Sequence, residues 1–157
     1  MRELALGLAF TGGLSGVRTG DDGVPIGWEQ KTVDELCDSV EPGFACSKSH
    51  QVANGHVHLR THNISTLDVL NFDLVIRIDP QKIDSSKASI RKGDILFNNT
   101  NSQELVGRTA LVDRDYGYGF SSHITRLRVN ASSWPPFVVY YLAYLRNSGH
   151  FARLCTR

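Results

Sequence analysis

The spacing of hydrophobic residues changes several times along the chain, and each change marks an element. In Met1 to Phe10, Leu4, Leu8 and their apolar neighbours recur at helical spacing, and Gly12 and Gly13 follow where helices commonly stop. Residues 1–14 therefore read as the last turns of a helix. Residues 15–23 (Ser-Gly-Val-Arg-Thr-Gly-Asp-Asp-Gly) carry too little apolar surface to be ordered by burial and read as a linker. A compact domain is expected over residues 24–157, opening near Val24-Pro25.

Within that domain, Thr32 with Glu35 three residues later has the form of a capping box and predicts a short helix ending near Cys37. His56 to Arg60 alternates polar and apolar, as a half-buried strand does. Phe72 to Ile78 is rich in β-branched residues and bounded by Pro80, so a second strand is expected there. Asp94 to Asn98, after a turn at Lys92-Gly93, and Gly107 to Asp113 predict two more. Asp115 to Gly119 reads as a turn, and Ser122 to Asn130 alternates with one slip between Ile124 and Leu127. Pro135-Pro136 then opens a helix over Phe137 to Asn147, with Val138, Tyr141, Leu142 and Leu145 on one face and Gly149 beyond its end. The fold class this predicts is α+β: a mixed or antiparallel sheet with a short early helix and a longer C-terminal one. No internal repeat is visible.

Composition narrows the function only slightly. A chain of 157 residues, 41% hydrophobic and 21% charged, can bury a real core and is not disordered. Lys and Arg number 17 against 16 acidic residues, a net charge of +1, so any nucleic-acid contact must come from local clustering or from a partner. Cys37, Cys46 and Cys155 are an odd set with no C-x-x-C pair, which argues against a zinc site or a disulfide framework. No apolar run approaches the roughly 20 residues of a membrane span. Glu3 and the lack of a long hydrophobic centre argue against a signal peptide. A soluble, cytoplasmic protein is expected.

Three constellations could carry chemistry. Asn98, Asn99, Thr100, Asn101, Ser102 and Gln103 form an uncharged hydrogen-bonding run between two strands. Asn and Gln can donate and accept toward one base edge, the pairing that suits adenine, and Ser and Thr adapt to either; the plain alternative is a solvated turn. His50, His56, His58 and His62 fall in one window with Lys48, Arg60 and Asn63, a modest basic patch suited to phosphate. His56 and His58, two apart on a strand, could pair on a metal ion, but no third ligand sits at a helpful spacing. Ser121, Ser122, His123, Arg126 and Arg128 make the third group; no G-x-S-x-G elbow, GxGxxG or Walker loop accompanies it. Asp79, Asp84 and Lys87 only faintly echo a nuclease carboxylate cluster.

Several segments also resemble a known family. Pro25-Ile26-Gly27-Trp28 followed by Leu36-Cys37 is similar to the opening of target recognition domains in type I restriction-modification specificity subunits. Gly93 to Ala110 resembles that family's central strand–loop–strand, and Phe120 to Asn130 and the Pro136 to Tyr144 helix resemble the segments after it. His58 to Ile64 is similar to a strand end, and Leu8-Ala9-Phe10-Thr11-Gly12-Gly13-Leu14 to the end of the spacer helix.

The resemblance implies a non-catalytic module without a cofactor that binds double-stranded DNA and directs partner methylase and nuclease subunits to one half of a split target. The residues expected at DNA, from their type and clustering, are Lys48, Arg60, His62, Asn63, Asn98 to Gln103, Arg108, Ser122, His123 and Arg126. No Asn-Pro-Pro-Tyr methyltransferase motif or Phe-x-Gly-x-Gly loop is present. The family's subunits carry two recognition domains and two spacer helices; one domain and the end of one helix are expected here, as in a fragment or a truncated subunit. The alternatives left open are a subunit acting only in assembly, and a small metal-dependent hydrolase using His56 and His58.

Overall fold

Among the residues that the computed structural model describes, 7–14 and 16–155, the strands are β1 (Cys37–Pro42), β2 (Gln51–Leu59), β3 (Ile76–Ile78), β4 (Ile95–Asn98), β5 (Thr109–Leu111), β6 (Gly119–Phe120) and β7 (Ile124–Val129). Two helices follow, α1 (Pro135–Asn147) and α2 (His150–Leu154). A four-stranded antiparallel sheet has the order β1-β7-β4-β5, and a three-stranded mixed sheet has the order β3-β2-β6. The class is α+β, as the sequence predicts.

The four-stranded sheet is covered on both faces. One face packs Ile95 and Leu127 against Val138, Val139 and Leu142 of α1. The other packs Leu96, Ala110 and Ile124 against Val57, Leu59 and Phe120 of the smaller sheet. This double covering explains the slip in the β7 pattern. Arg126 stands opposite Leu96, on the inner face between the sheets, where a purely apolar residue would be expected. There Arg126 is only 4% exposed. It pairs with Glu41, its register partner on β1, donates to the Ser89 carbonyl at 2.8 Å and lies over the Phe120 ring. Arg128 is held by both oxygens of buried Asp94 at 2.8 Å each.

Several boundaries differ from expectation. The capping box forms, with the Thr32 N–H donating to Glu35 Oε2 at 2.7 Å and the Glu35 N–H to Thr32 Oγ1 at 3.3 Å. It closes only a single turn rather than a helix, because Cys37 already enters β1 and pairs with Val129. The strand expected over 72–78 is shortened to 76–78. Upstream of it, the Asn71 and Leu74 carbonyls accept from the Asn63 amide at 2.9 and 2.8 Å, which curls that stretch away from the sheet. The strand near 56–60 instead lengthens to 51–59.

Of the leading helix, residues 7–10 are helical, and the Phe10 ring packs on Phe137, Tyr141 and Tyr144 of α1; Met1 and Leu4 lie outside the described residues. The expected linker closes on itself through the Gly20 N–H to the Val24 carbonyl at 2.8 Å and the Ile26 N–H to the Arg18 carbonyl at 2.9 Å. Among the described residues no helix is long and apolar enough to cross a membrane.

Candidate nucleic-acid interface

The strand directions bring most of the candidate residues to one end of the four-stranded sheet. β4 ends there at Asn98, β7 starts there at Ile124 opposite Asn98, and β1 ends there with Pro42 opposite Thr125. The smaller sheet reaches the same end, since the Ser121 N–H donates to the Leu59 carbonyl at 2.9 Å. Arg60, next in the chain, donates from Nη2 to the Cys46 carbonyl at 3.1 Å, two residues before exposed Lys48. The segments 42–48, 60–63, 98–108 and 121–125 therefore converge. Their charges are Lys48, Arg60 and Arg108 against Glu104 alone. A chain that is almost neutral overall thus has a cationic end.

The β4–β5 loop has a built base and an exposed tip. The Asn98 N–H donates to the Arg108 carbonyl at 2.8 Å and the Gly107 N–H to the Asn98 carbonyl at 2.9 Å. Gly107 sits at φ +79°, and a Cβ there would also run into the Phe151 ring of α2, which itself packs edge-on against Phe97 at 5.1 Å. Only glycine meets both demands. Inside the loop, the Ser102 carbonyl accepts from the Leu105 and Val106 N–H groups at 3.0 and 2.8 Å. Asn101 and Gln103 are exposed, Thr100 and Ser102 half-buried.

The neighbouring turn exposes His123, while Ser122 is half-buried. His62 is also exposed and donates from Nε2 to the Leu74 carbonyl at 3.1 Å. Arg108 is half-buried at the loop's foot.

Four of the expected residues are buried or already hydrogen-bonded within the fold. Asn63 is 1% exposed and committed within its own turn, with Oδ1 accepting the Arg60 N–H at 2.8 Å, so it shapes the segment. Asn98 is fully buried, and its Oδ1 takes the Thr100 N–H at 3.1 Å. Arg126 lies between the sheets, shut away from phosphate. Asn99 is exposed, yet its Nδ2 is given to the Ser122 carbonyl at 3.3 Å and the Thr125 hydroxyl at 2.9 Å, which leaves no free donor for a bidentate adenine pair. Polar residue type draws attention to these positions equally; burial sets apart Asn63, Asn98 and Arg126, and hydrogen bonding across the loop sets apart exposed Asn99, and a single sequence displays neither.

The histidine pair does not form a metal seat. His56 Nε2 accepts the Gly119 N–H at 3.1 Å. His58 is buried, packs edge-on to Phe44 at 4.6 Å and donates from Nε2 to the Phe44 carbonyl at 3.1 Å. Burial, aided by the Arg60 charge, pushes the His58 pKa down to about 4, so the ring is neutral. Burial lowers that of His56 as well. Asp79 and Asp84 each cap a separate turn, accepting the N–H groups of Gln81 at 2.9 Å and Ser86 at 3.2 Å. Among the described residues no three His, Cys, Asp or Glu side chains cluster as a metal site would require. Sequence reasoning did not single out Thr125, Gly107 or Phe151, which hold the loop; Gly107, at the foot of a polar run, carried the only visible signal.

No protein-family model matches the sequence, and no curated protein matches it. Solved structures do share its fold. The HsdS subunit from Thermoanaerobacter tengcongensis superposes with a TM-score of 0.62 at 22% identity, over 94% of this chain and 35% of its own. A chain from structural work on complex assembly and conformational transition of the type I R-M system superposes with a TM-score of 0.61 at 19% identity, over the same shares. The protein therefore has the fold of a domain within those chains, and it spans about a third of their length.

Proposed function

We propose that this chain is a target recognition domain of a type I restriction-modification specificity subunit, which binds double-stranded DNA and directs cytoplasmic methylase and nuclease subunits to one half of a split target without catalysing a reaction itself. The observation that carries this reading is the convergence at one end of the fold: an exposed loop of neutral donors and acceptors, flanked by three cations and two exposed imidazoles. Neutral amides and hydroxyls read base edges, whereas cations hold phosphates, and a duplex-reading surface needs both side by side. The shared fold with the specificity subunit agrees with it.

Installing this chain as one of the two recognition domains of a full-length specificity subunit, co-expressed with its methylase subunit and followed by genome-wide mapping of methylated adenines, tests the reading. A bipartite methylated motif is expected. Replacing Asn101 and Gln103 with Ala should relax one half of that motif, at about 1–3 kcal/mol per lost base contact. A motif unchanged in both halves would count against this surface.

A second outcome concerns charge. Lys48→Ala, Arg60→Ala and Arg108→Ala should each weaken binding to all duplexes alike and reduce the slope of log K against log salt by about 1. A slope that stays put in all three would remove the phosphate role. By itself the 157-residue chain is expected to bind weakly, since a single module lacks the effective concentration that two linked modules share. Methylation or cleavage of DNA by the purified chain alone would sink the proposal.

A further inference from the structure

The β4–β5 loop and the turn before β7 are far apart in sequence, and one side chain joins them. Asn99 lies 23 residues before Ser122, and its Nδ2 reaches both the Ser122 carbonyl at 3.3 Å and the Thr125 hydroxyl at 2.9 Å. Its main-chain N–H donates to the His123 carbonyl at 3.1 Å. Three hydrogen bonds from one residue thus tie the loop to the turn. We infer that Asn99 is a positioning residue: it locks the tip Asn101–Gln103 beside His123, so that the two segments meet a duplex as one preformed surface.

This inference rests on the DNA-reading function proposed above and deepens it. Asn99 stands at the head of the polar run and has the residue type of a base reader, but its two amide hydrogens are already engaged. The loop is braced from below as well. The Asn98 side chain holds Thr100, Gly107 closes the far side, and Phe151 supports Gly107. With both ends of the loop fixed, exposed Asn101 and Gln103 are carried on a braced base. A preformed tip loses less conformational freedom on meeting DNA than a mobile one, so the lock raises discrimination without touching a base. His123 is brought into the reading surface for the same reason: its carbonyl holds Asn99, and its side chain is exposed.

The test uses the 157-residue chain and a library of fully randomised duplexes, together with amide hydrogen exchange of the DNA-free protein. In Asn99→Ala, exchange at residues 100–103 and 122–123 should accelerate together, by about tenfold for the loss of hydrogen bonds of ordinary strength. Sequence preference should fall at every base-pair position affected by Gln103→Ala or by His123→Ala, while affinity for the unselected library stays within about twofold. Thr125→Val should act in the same direction, and the double variant should be no worse than Asn99→Ala alone, because both remove one lock.

Loss of preference at one separate position with exchange unchanged would make Asn99 a base reader and overturn the inference. Accelerated exchange with the selected sequences untouched would overturn it too. If the parent chain enriches no sequence at all, the DNA-reading function falls and this inference with it. That failure is distinguishable, because in the other cases the parent and Gln103→Ala still differ.

Discussion

Glu41→Ala is expected to destabilise the domain by about 2–4 kcal/mol, a large share of the stability of an ordinary domain. The Arg126 side chain is 5% exposed and its charge is balanced across the strand pair by Glu41, itself 45% exposed. Removing the carboxylate strands a cation between two sheets, with only the Ser89 carbonyl and the Phe120 ring face as partners. Water can reach the Glu41 site, which keeps the effect below that of a fully enclosed pair. Arg126→Met, which fills the same slot without charge, should be far milder, and the double variant should recover most of what Glu41→Ala loses. Urea midpoints measure all three. Equal destabilisation by Arg126→Met and Glu41→Ala would mean that packing, not charge balance, dominates. Arg126→Met should also leave the salt dependence of DNA binding unchanged, in contrast with Lys48→Ala, since a side chain closed between sheets meets no phosphate.

Acidification should weaken the fold through His58. Its pKa falls from the ordinary 6.5 to about 4 in the folded protein because burial disfavours the imidazolium. The unfolded chain therefore takes up a proton first as pH falls, and the stability His58 contributes is complete above about pH 6.5. It is lost progressively between 6.5 and 4, amounting to about 3 kcal/mol at the lower limit. The effect concentrates at the junction of the two sheets, where His58 bonds the Phe44 carbonyl and pairs with Gly119. His58→Gln keeps an N–H donor but does not titrate. Unfolding free energies from pH 7 to 4 should fall more steeply for the parent than for this variant. His56, lowered in the same direction, is common to both and cancels. Parallel curves would show that His58 does not titrate in this window.

Both predictions depend on polar residues whose role is invisible along the chain. In sequence, Arg126 resembles Lys48 or Arg108, a cation in an alternating stretch. Only the pairing of β7 with β4 and β1 turns it inward. Asn98, Asn99 and Asn101 are likewise three similar amides in one run, and the fold assigns them three different positions: buried, engaged across the loop, and exposed. The His56–His58 pair shows the same gap, since two-residue spacing on a strand suits a shared metal, while the parallel strand β6 and Phe44 claim the rings instead.

What the sequence by itself determined is the inventory of periodic elements and turns: strands near 94–98, 107–113 and 122–130, the helix after Pro135-Pro136, the Thr32–Glu35 capping box, and the α+β class. These follow from local forces, because apolar period, proline geometry and side-chain caps act within a few residues. The six-residue polar run and the basic window were legible too, as residue types. Tertiary structure alone decided which of them faces solvent, that β1 forms an edge strand, and that four distant segments meet at one end of the sheet. Those outcomes depend on strand pairing between residues up to about ninety positions apart, Glu41 with Arg126 among them. Such partners are selected by the mutual burial of whole faces, a condition no local stretch of sequence contains.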